Sequence, residues 1–350
     1  MTRIAVDAMG GDHAPHEIVA GAVWGAYDYG VAIELIGDQD VIKQELDKIA
    51  KHGFYSDCGS AGKQRRIKID LSKLDIKITH ASEVIEMGEA PGQAIRKKKD
   101  SSIVKTVEAV AKSSSDALVA AGSTGAAMAS SLFGLGRIHG IDRPAIAVTL
   151  PTMNKPVIII DGGANSNSTP EMLYQFGVMG SIFSKNVLGI ENPRIGVLNI
   201  GEEAGKGNEL AKNTYDLLEQ NSDKLNFVGN VEGKEIFLNI ADVVVCDGFV
   251  GNVALKITEG TSSLLFKMIK EQFKSGIIGS IIGALAKPFM KRIYSRINYE
   301  EFGGCLLLGV KGITVIAHGR SKAYAIKNAV RVAKESVETG VTDKIAQYYE

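Results

Sequence analysis

The stretch Val157-Ile158-Ile159-Ile160-Asp161-Gly162-Gly163-Ala164-Asn165 decides the fold. Four aliphatic, β-branched residues in a row leave no polar side, which suits a short strand covered on both faces, as in a parallel sheet. An acid, two glycines and an amide then turn the chain at the carboxyl end of that strand. The same pattern recurs along the chain. Runs of strand type occupy 4–6, 32–36, 76–79, 117–120, 145–149, 195–199, 243–246 and 313–316, and helical spacing of apolar residues fills 17–27, 104–111, 171–183, 210–218 and 323–337. Strands alternating with helices predict an α/β protein built on a mostly parallel sheet. Neither a Pro/Ser-rich linker nor a repeat interrupts the pattern, so residues 1–350 are expected to form a single domain. The polar stretch 52–68 reads as a mobile surface loop of little core value.

Ligands of open α/β sheets bind at the carboxyl ends of strands. Six of the runs end in small, polar, Gly-rich loops: Asp7–His13, Ala121–Ala126, Asp161–Asn165, Asn199–Asn208, Asp247–Asn252 and His318–Ser321. One such loop is an ordinary glycine turn, but six suggest backbone N–H groups brought up to an anion. Gly122-Ser123-Thr124-Gly125 opens a helical run, and its hydroxyls suit either anion binding or N-capping.

Other chemistries lack their residues. No G-x-G-x-x-G follows a strand, and the segment 201–207 has the wrong glycine spacing for a phosphate-binding P-loop, with Gly207 where Ser or Thr should follow Lys206. The three cysteines, Cys58, Cys246 and Cys305, are scattered and odd in number, which fits a reducing cytoplasm and neither a disulfide framework nor a zinc site. No Ser-His-Asp set assembles from the spacing, and the six histidines lack metal-ligand spacing. With 40 basic against 40 acidic residues, the chain has no footprint for general nucleic-acid binding. The start, Met1 to Asp7, carries no signal-peptide core, and the apolar stretch 275–286 falls short of the roughly 18 residues of a spanning helix.

Taken in order, the motifs resemble one family over essentially the whole chain: the bacterial phosphate acyltransferases of phospholipid synthesis (PlsX family), which convert acyl-[acyl carrier protein] and inorganic phosphate to acyl-phosphate. The residues that carry the resemblance are DAMGGD (7–12), AIRKKKDSS (94–102), Ala121–Ala126, Asp161–Asn165, NIGEEAGKGN (199–208), GNVEG (229–233) and DGFVGNVALK (247–256). Two departures stand out. Ser123 takes the place of a usual Asn, and FGGCL (302–306) replaces a YGGAP-like string. The resemblance implies a three-layer α/β/α homodimer, similar in topology to isocitrate and isopropylmalate dehydrogenases. It implies no cofactor and no metal.

Phosphate ionises near neutrality and can attack a thioester directly, so the reaction needs positioning and oxyanion donors rather than a protein nucleophile. On that basis Lys256 and Lys206 are expected to hold phosphate, Asp247 and Asn252 to orient Lys256 or the thioester, and His13 to protonate the leaving thiolate. Phosphate and substrate binding are expected of Asp7, Gly10, Gly11, Arg96, Gly122, Ser123, Thr124, Gly125, Asn165 and Glu203. The basic run Arg96–Lys99 would meet the acidic acyl carrier protein.

Residues 261–299 form an amphipathic helical excursion. Ile277, Ile281, Leu285, Phe289, Ile293 and Ile297 recur every four positions, and Lys274, Lys287, Lys291, Arg292 and Arg296 stand among them with no acid between Glu271 and Glu300. Such a basic stripe suits a peripheral membrane surface or a dimer partner, and Pro288 is expected to break it into two helices. A membrane glycerol-3-phosphate acyltransferase would be the natural recipient of an amphiphilic product. Two readings compete: an NAD-dependent hydroxy-acid dehydrogenase of the related fold, and a non-catalytic membrane-docking scaffold.

Overall fold

A computed structural model describes residues 1–57, 64–297 and 299–350. Thirteen strands follow one another: β1 (Arg3–Asp7), β2 (Ala32–Gly37), β3 (Phe54–Asp57), β4 (Gln64–Ile67), β5 (Ile76–His80), β6 (Ala117–Ala120), β7 (Ala145–Leu150), β8 (Val157–Ile160), β9 (Ile195–Asn199), β10 (Phe227–Glu232), β11 (Val243–Val245), β12 (Cys305–Leu308) and β13 (Ile313–Ile316). Eleven of them form one sheet in the order β10-β9-β11-β8-β7-β12-β13-β6-β1-β2-β5. Neighbours are parallel except at the junctions β8–β7, β7–β12 and β12–β13. Three reversals in a row turn the sheet over in direction. The strands β10, β9, β11 and β8 therefore point one way and β13, β6, β1, β2 and β5 the other, so the six Gly-rich loops are shared between opposite edges of the sheet.

Strand residues alternate between two cores, as the pleat requires. Ile4, Val6, Leu35, Val119, Ile158, Ile160 and Val245 face one core, with Ile18, Phe176, Ile326 and Val330 from the helices His16–Tyr29, Pro170–Asn186 and Ala323–Thr339. Ala5, Ile36, Leu118 and Ala120 face the other side, against Ile103 and Val107 of the helix Ser102–Ala111 and Ala126 and Ala127 of Thr124–Gly134. Beyond the junction that second side continues as Val157, Ile159 and Val244 under Leu255. Helices thus cover both faces, which is the expected α/β class.

The stretch read as a loop differs from expectation: it contains the antiparallel pair β3–β4, with Phe54 opposite Ile67 and Phe54 buried. Cys58 lies outside the described residues.

The excursion is a helical hairpin. Its first helix, Gly248–Lys274, begins beside the sheet and leaves it after Leu255; the second runs Gly276–Ile297. Phe266 and Tyr294 pack edge to face with ring centroids 5.4 Å apart, which makes the two helices antiparallel. The break falls at Ser275–Gly276 and not at Pro288. Ser275 is extended, its hydroxyl donates to the Gln272 carbonyl at 2.6 Å, and Gly276 takes a left-handed φ of 69°. Pro288 sits inside the second helix. It removes a bond to the Ala284 carbonyl, and Ala284 is exposed, so water replaces that bond at modest cost.

Candidate active site

The edge formed by β13, β6 and β1 gathers three Gly-rich loops. Gly10 and Gly122 meet backbone to backbone over the Asp7 carboxylate: a Cβ on Gly10 would lie 2.7 Å from Asp7 Oδ2 and 3.0 Å from the Gly122 Cα. Gly11 holds a φ of 114°, and the next residue ties this loop to the third, Asp12 N–H donating to the Gly319 carbonyl at 2.8 Å. Asp7 is buried, and that burial pushes its carboxyl above the usual range, with bonds from Ser102 and the N–H groups of Met9 and Gly10 acting against it. Ser123 caps the helix Thr124–Gly134, its hydroxyl accepting from Ala126 N–H at 3.4 Å. Thr124 beside it is exposed, and Gly125 packs against Pro91 of the helix Pro91–Lys97.

The opposite edge looks alike in sequence and is built differently. Asp161 Oδ1 accepts from the N–H groups of Ile146, Gly163 and Ala164 at 3.1, 3.0 and 2.9 Å; Oδ2 accepts from Asn165 N–H at 2.7 Å and Asn165 Nδ2 at 2.9 Å. Asn165 Nδ2 also donates to the Pro144 carbonyl. Asp247 caps the helix Gly248–Lys274, accepting from Phe249 and Val250 N–H at 3.0 Å each. Its carboxylate is thereby taken up by the helix N-terminus and does not orient Lys256. The neighbour of Lys256 is Glu259, at 3.0 Å. Asn252 is exposed on the first turns of that helix, beside Gly163.

Lys256 lies on the helix that runs from one edge toward the other. The helix that starts after β11 packs Leu255 with Val157 and Ile159, and the next residue, Lys256, about two turns from the helix start, comes with Glu259 within electrostatic range of His318. His318, which the sequence places in a Gly-rich loop but not among the site residues, closes β13 between Ala317 and Gly319. Its Nδ1 accepts from Arg320 N–H at 3.2 Å. Burial, and then the Lys256 cation, hold the imidazole below its usual pKa. Nothing in its local sequence separates it from any histidine at a strand end; only the arrival of a distant helix does.

Lys206 and Glu203 stand apart. Both are exposed in the loop after β9, where Asn199 Nδ2 donates to the Lys206 carbonyl and Asn230 Nδ2 to the Glu203 carbonyl. Seven strand steps separate β9 from β1, about 34 Å at the usual spacing. Within one chain, Lys206 and Asp7 do not share a phosphate. His13 is exposed at the outer end of its loop, and Arg96, Lys97 and Lys99 are exposed on and just beyond the helix Pro91–Lys97. Lys98 turns inward, donating to Glu89 at 2.6 Å and to the Val84 carbonyl at 2.8 Å. Among the described residues one acidic trio, Glu202, Glu232 and Glu235, has carboxylates close enough to share a cation, and Lys234 already pairs with Glu232 there.

Among the described residues no thiol is poised as a nucleophile. Burial pushes Cys305 up to about 12 and Cys246 higher still.

Gly-rich loops at strand ends on an α/β scaffold suit an enzyme that handles an anionic substrate. The family model described as fatty acid synthesis protein matches residues 2–344. A phosphate acyltransferase from Halothermothrix orenii is 48% identical over 347 residues, covering 99% of this chain and 98% of that one. One from Desulfitobacterium hafniense is 50% identical over 347 residues, covering 99% and 96%. The chain belongs to this family and is an acyltransferase enzyme. Among solved structures, the EutD phosphotransacetylase of Staphylococcus aureus shares the fold with a TM-score of 0.60 at 12% identity, covering 96% of this chain and 94% of that one. A 4-hydroxythreonine-4-phosphate dehydrogenase from Klebsiella pneumoniae does so at 0.52 and 13%, covering 96% and 100%.

Proposed function

We propose that this enzyme moves a fatty acyl group from acyl-[acyl carrier protein] to inorganic phosphate, giving acyl-phosphate for phospholipid synthesis. The observation that carries the reading is the meeting of glycine backbones at Gly10, Gly11 and Gly122, with the cation of Lys256 within electrostatic range of the same edge. Such a site holds an anion and leaves the attack to it. Hydrogen phosphate dianion adds to the thioester carbonyl, the C–S bond breaks, the thiolate takes up a proton from His13, and the proton lost from the phosphate restores His13. Holding both reactants in register is worth roughly 7–11 kcal/mol when the geometry is good. Lys206 and Glu203 enter the same site only if a second subunit brings them. Neither a hydride-transfer reading nor a scaffold reading is favoured by the relatives.

The exposed cations Arg96, Lys97 and Lys99 suit the acidic carrier protein as partner, steering its approach. The hairpin suits an anionic membrane surface. Ile277, Leu285 and Phe289 are 82%, 71% and 65% exposed, with Lys274, Lys287 and Lys291 among them. No described helix is long and apolar enough to cross a membrane. The reading is of a cytoplasmic homodimer that rests on the membrane and passes its product to a membrane glycerol-3-phosphate acyltransferase.

Incubating the protein with palmitoyl-acyl carrier protein tests the activity: loss of thioester that depends on phosphate supports it, and loss at the same rate without phosphate rejects it. Replacing Ile281 and Leu285 with Asp should release the protein from anionic vesicles while light scattering still reports a dimer. A variant that turns monomeric would move the stripe to the subunit interface.

A further inference from the structure

We infer that Met87 is a specificity-determining residue, its thioether lying against the first methylenes of the acyl chain as the thioester enters the crevice. The inference rests on the phosphate acyltransferase reading and names the apolar surface that selects the acyl donor, which glycine loops and cations do not supply. Three observations carry it.

The first is position. A Cβ on Gly319 would lie 2.7 Å from Met87 Cε, 3.8 Å from Asp12 Oδ1 and 3.9 Å from the Ala121 carbonyl oxygen. The loops after β1, β6 and β13 and the tip of one methionine therefore surround a single point. The second is how Met87 is held. The strap from Met87 to Pro91 reaches from Gly319 to Gly125, whose own Cβ would lie 2.7 Å from the Pro91 ring. Lys98 pins the strap, donating to Glu89 at 2.6 Å and to the Val84 carbonyl at 2.8 Å, and Glu89 also accepts the Glu86 N–H at 2.7 Å. The backbone is fixed while Met87 stays 54% exposed. The third is the approach. Arg96, Lys97 and Lys99 are exposed on the same segment, one short helix away, so a carrier protein held there delivers its thioester past the strap.

A thioether has no N–H and no charge to offer phosphate. What it offers is an apolar, polarisable and flexible contact that adapts its shape to a chain. Beside loops that suit an anion, such a group divides the entrance by chemistry: phosphate goes to the glycine backbones, and the hydrocarbon next to the thioester carbon goes to Met87. A chain that covers the exposed thioether takes apolar surface of both partners out of water. The carrier protein that bears a chain is thereby favoured over one that bears a bare thiol.

The test is equilibrium binding, without phosphate, of palmitoyl-acyl carrier protein and of the same carrier protein with a free thiol to the wild-type chain, Met87→Ala and Met87→Leu, alongside thermal melting. Wild type should bind the palmitoyl form the more tightly. Met87→Ala should weaken that form about fourfold to fifteenfold, the worth of one or two buried methylenes, and the free-thiol form by less than about twofold, with the melting temperature little changed. Met87→Leu keeps the apolar volume and should hold the palmitoyl affinity within about twofold of wild type. With phosphate added, kcat/KM for the palmitoyl form should fall in Met87→Ala by the same factor as its affinity. Equal weakening of both forms overturns the inference, because Met87 would then touch the carrier or only shape the strap. A palmitoyl affinity unchanged in the Ala variant, or a wild type that binds the two forms alike, overturns it too. In each of these cases acyl-phosphate formed by the wild-type enzyme leaves the acyltransferase reading standing. A wild-type protein that forms no acyl-phosphate removes both.

Discussion

Two loops of this molecule read almost identically: Asp7-Ala8-Met9-Gly10-Gly11 after β1 and Asp161-Gly162-Gly163-Ala164-Asn165 after β8. Each follows a buried strand, each opens on a buried aspartate, and burial raises both carboxyls. Their partners differ. The Asp161 carboxylate gathers four backbone N–H groups and one amide, and so fixes its loop from within. Asp7 Oδ1 accepts the Met9 N–H at 3.2 Å, Ser102 and the Gly10 N–H also bond the carboxyl, and its Oδ2 lies under the meeting of Gly10 with Gly122. The Asp161 loop is closed by its own acid. The Asp7 loop is held by another loop, and it lies at the edge that carries His318. An acid followed within a few residues by two glycines thus marks a strand end, and what surrounds the acid differs between the two loops.

The sharpest way to break this contrast is Asp161→Ala. Each orphaned buried donor costs about 1–3 kcal/mol, and even with water reaching some of them the loss should be about 3–4 kcal/mol in a denaturant titration. A loss below about 1 kcal/mol would mean the loop holds itself without the acid.

Gly10→Ala is next. Its Cβ has no room against Asp7 Oδ2 or the Gly122 backbone, so the two loops must part, at about 1–3 kcal/mol. Activity should fall further than that stability loss explains. Activity kept while stability drops would remove the crevice from the reaction.

Lys256→Ala against Lys206→Ala compares the two edges in function. Losing one charged contact to phosphate is worth about 1.5–3 kcal/mol, so the first variant should raise the phosphate KM about tenfold to a hundredfold, and the second by less than threefold. Equal effects would show that a second subunit carries Lys206 into the crevice.

Asp7→Asn is expected to do least. A folded-state carboxyl pKa above the unfolded one means that the folded protein binds the proton more tightly. The stability this confers is complete below the ordinary value of 3.8 and is lost as pH rises through the raised value. Asn escapes that loss. The variant should match wild type near pH 4 and be the more stable of the two, by about 1 kcal/mol, at pH 8. A variant less stable at pH 8 would give the Asp7 charge a native partner.

The strands were legible because Val and Ile runs leave no polar face; Val157–Ile160 is such a run. Strand direction was legible only in part. Six residues separate β7 from β8 and four separate β12 from β13, too few for a crossover helix, so both pairs had to be antiparallel. Yet the resulting reversal of one half-sheet against the other belongs to no single segment. The run Cys305–Leu308 and the stretch 227–232 hid as strands, the first for lack of β-branched residues and the second because Gly229 and Asn230 interrupt it. Gly10 and Gly122 were found as glycines, but their mutual contact was not, since 112 positions divide them. Lys256 was picked from its motif, while its real neighbours, Glu259 and His318, come from helix geometry and from a strand on the far side of the junction. Asp247 shows why the role of an acid is hard to read from sequence, because a helix cap and a catalytic acid share one signature, an acid before a helix.

The hairpin arm gives the chain a polarity that its zero net charge conceals. Residues 261–297 hold seven basic side chains and one acid, so the remaining residues carry an excess of six acids. The molecule is an electric dipole, a basic tip on an acidic body. Near an anionic surface such an object feels a torque before it feels contact: the tip is drawn in, the body pushed away, and the approach becomes arm-first. That turning fades beyond roughly 8 Å at physiological salt, so it acts in the last moments of an encounter and sets which end lands.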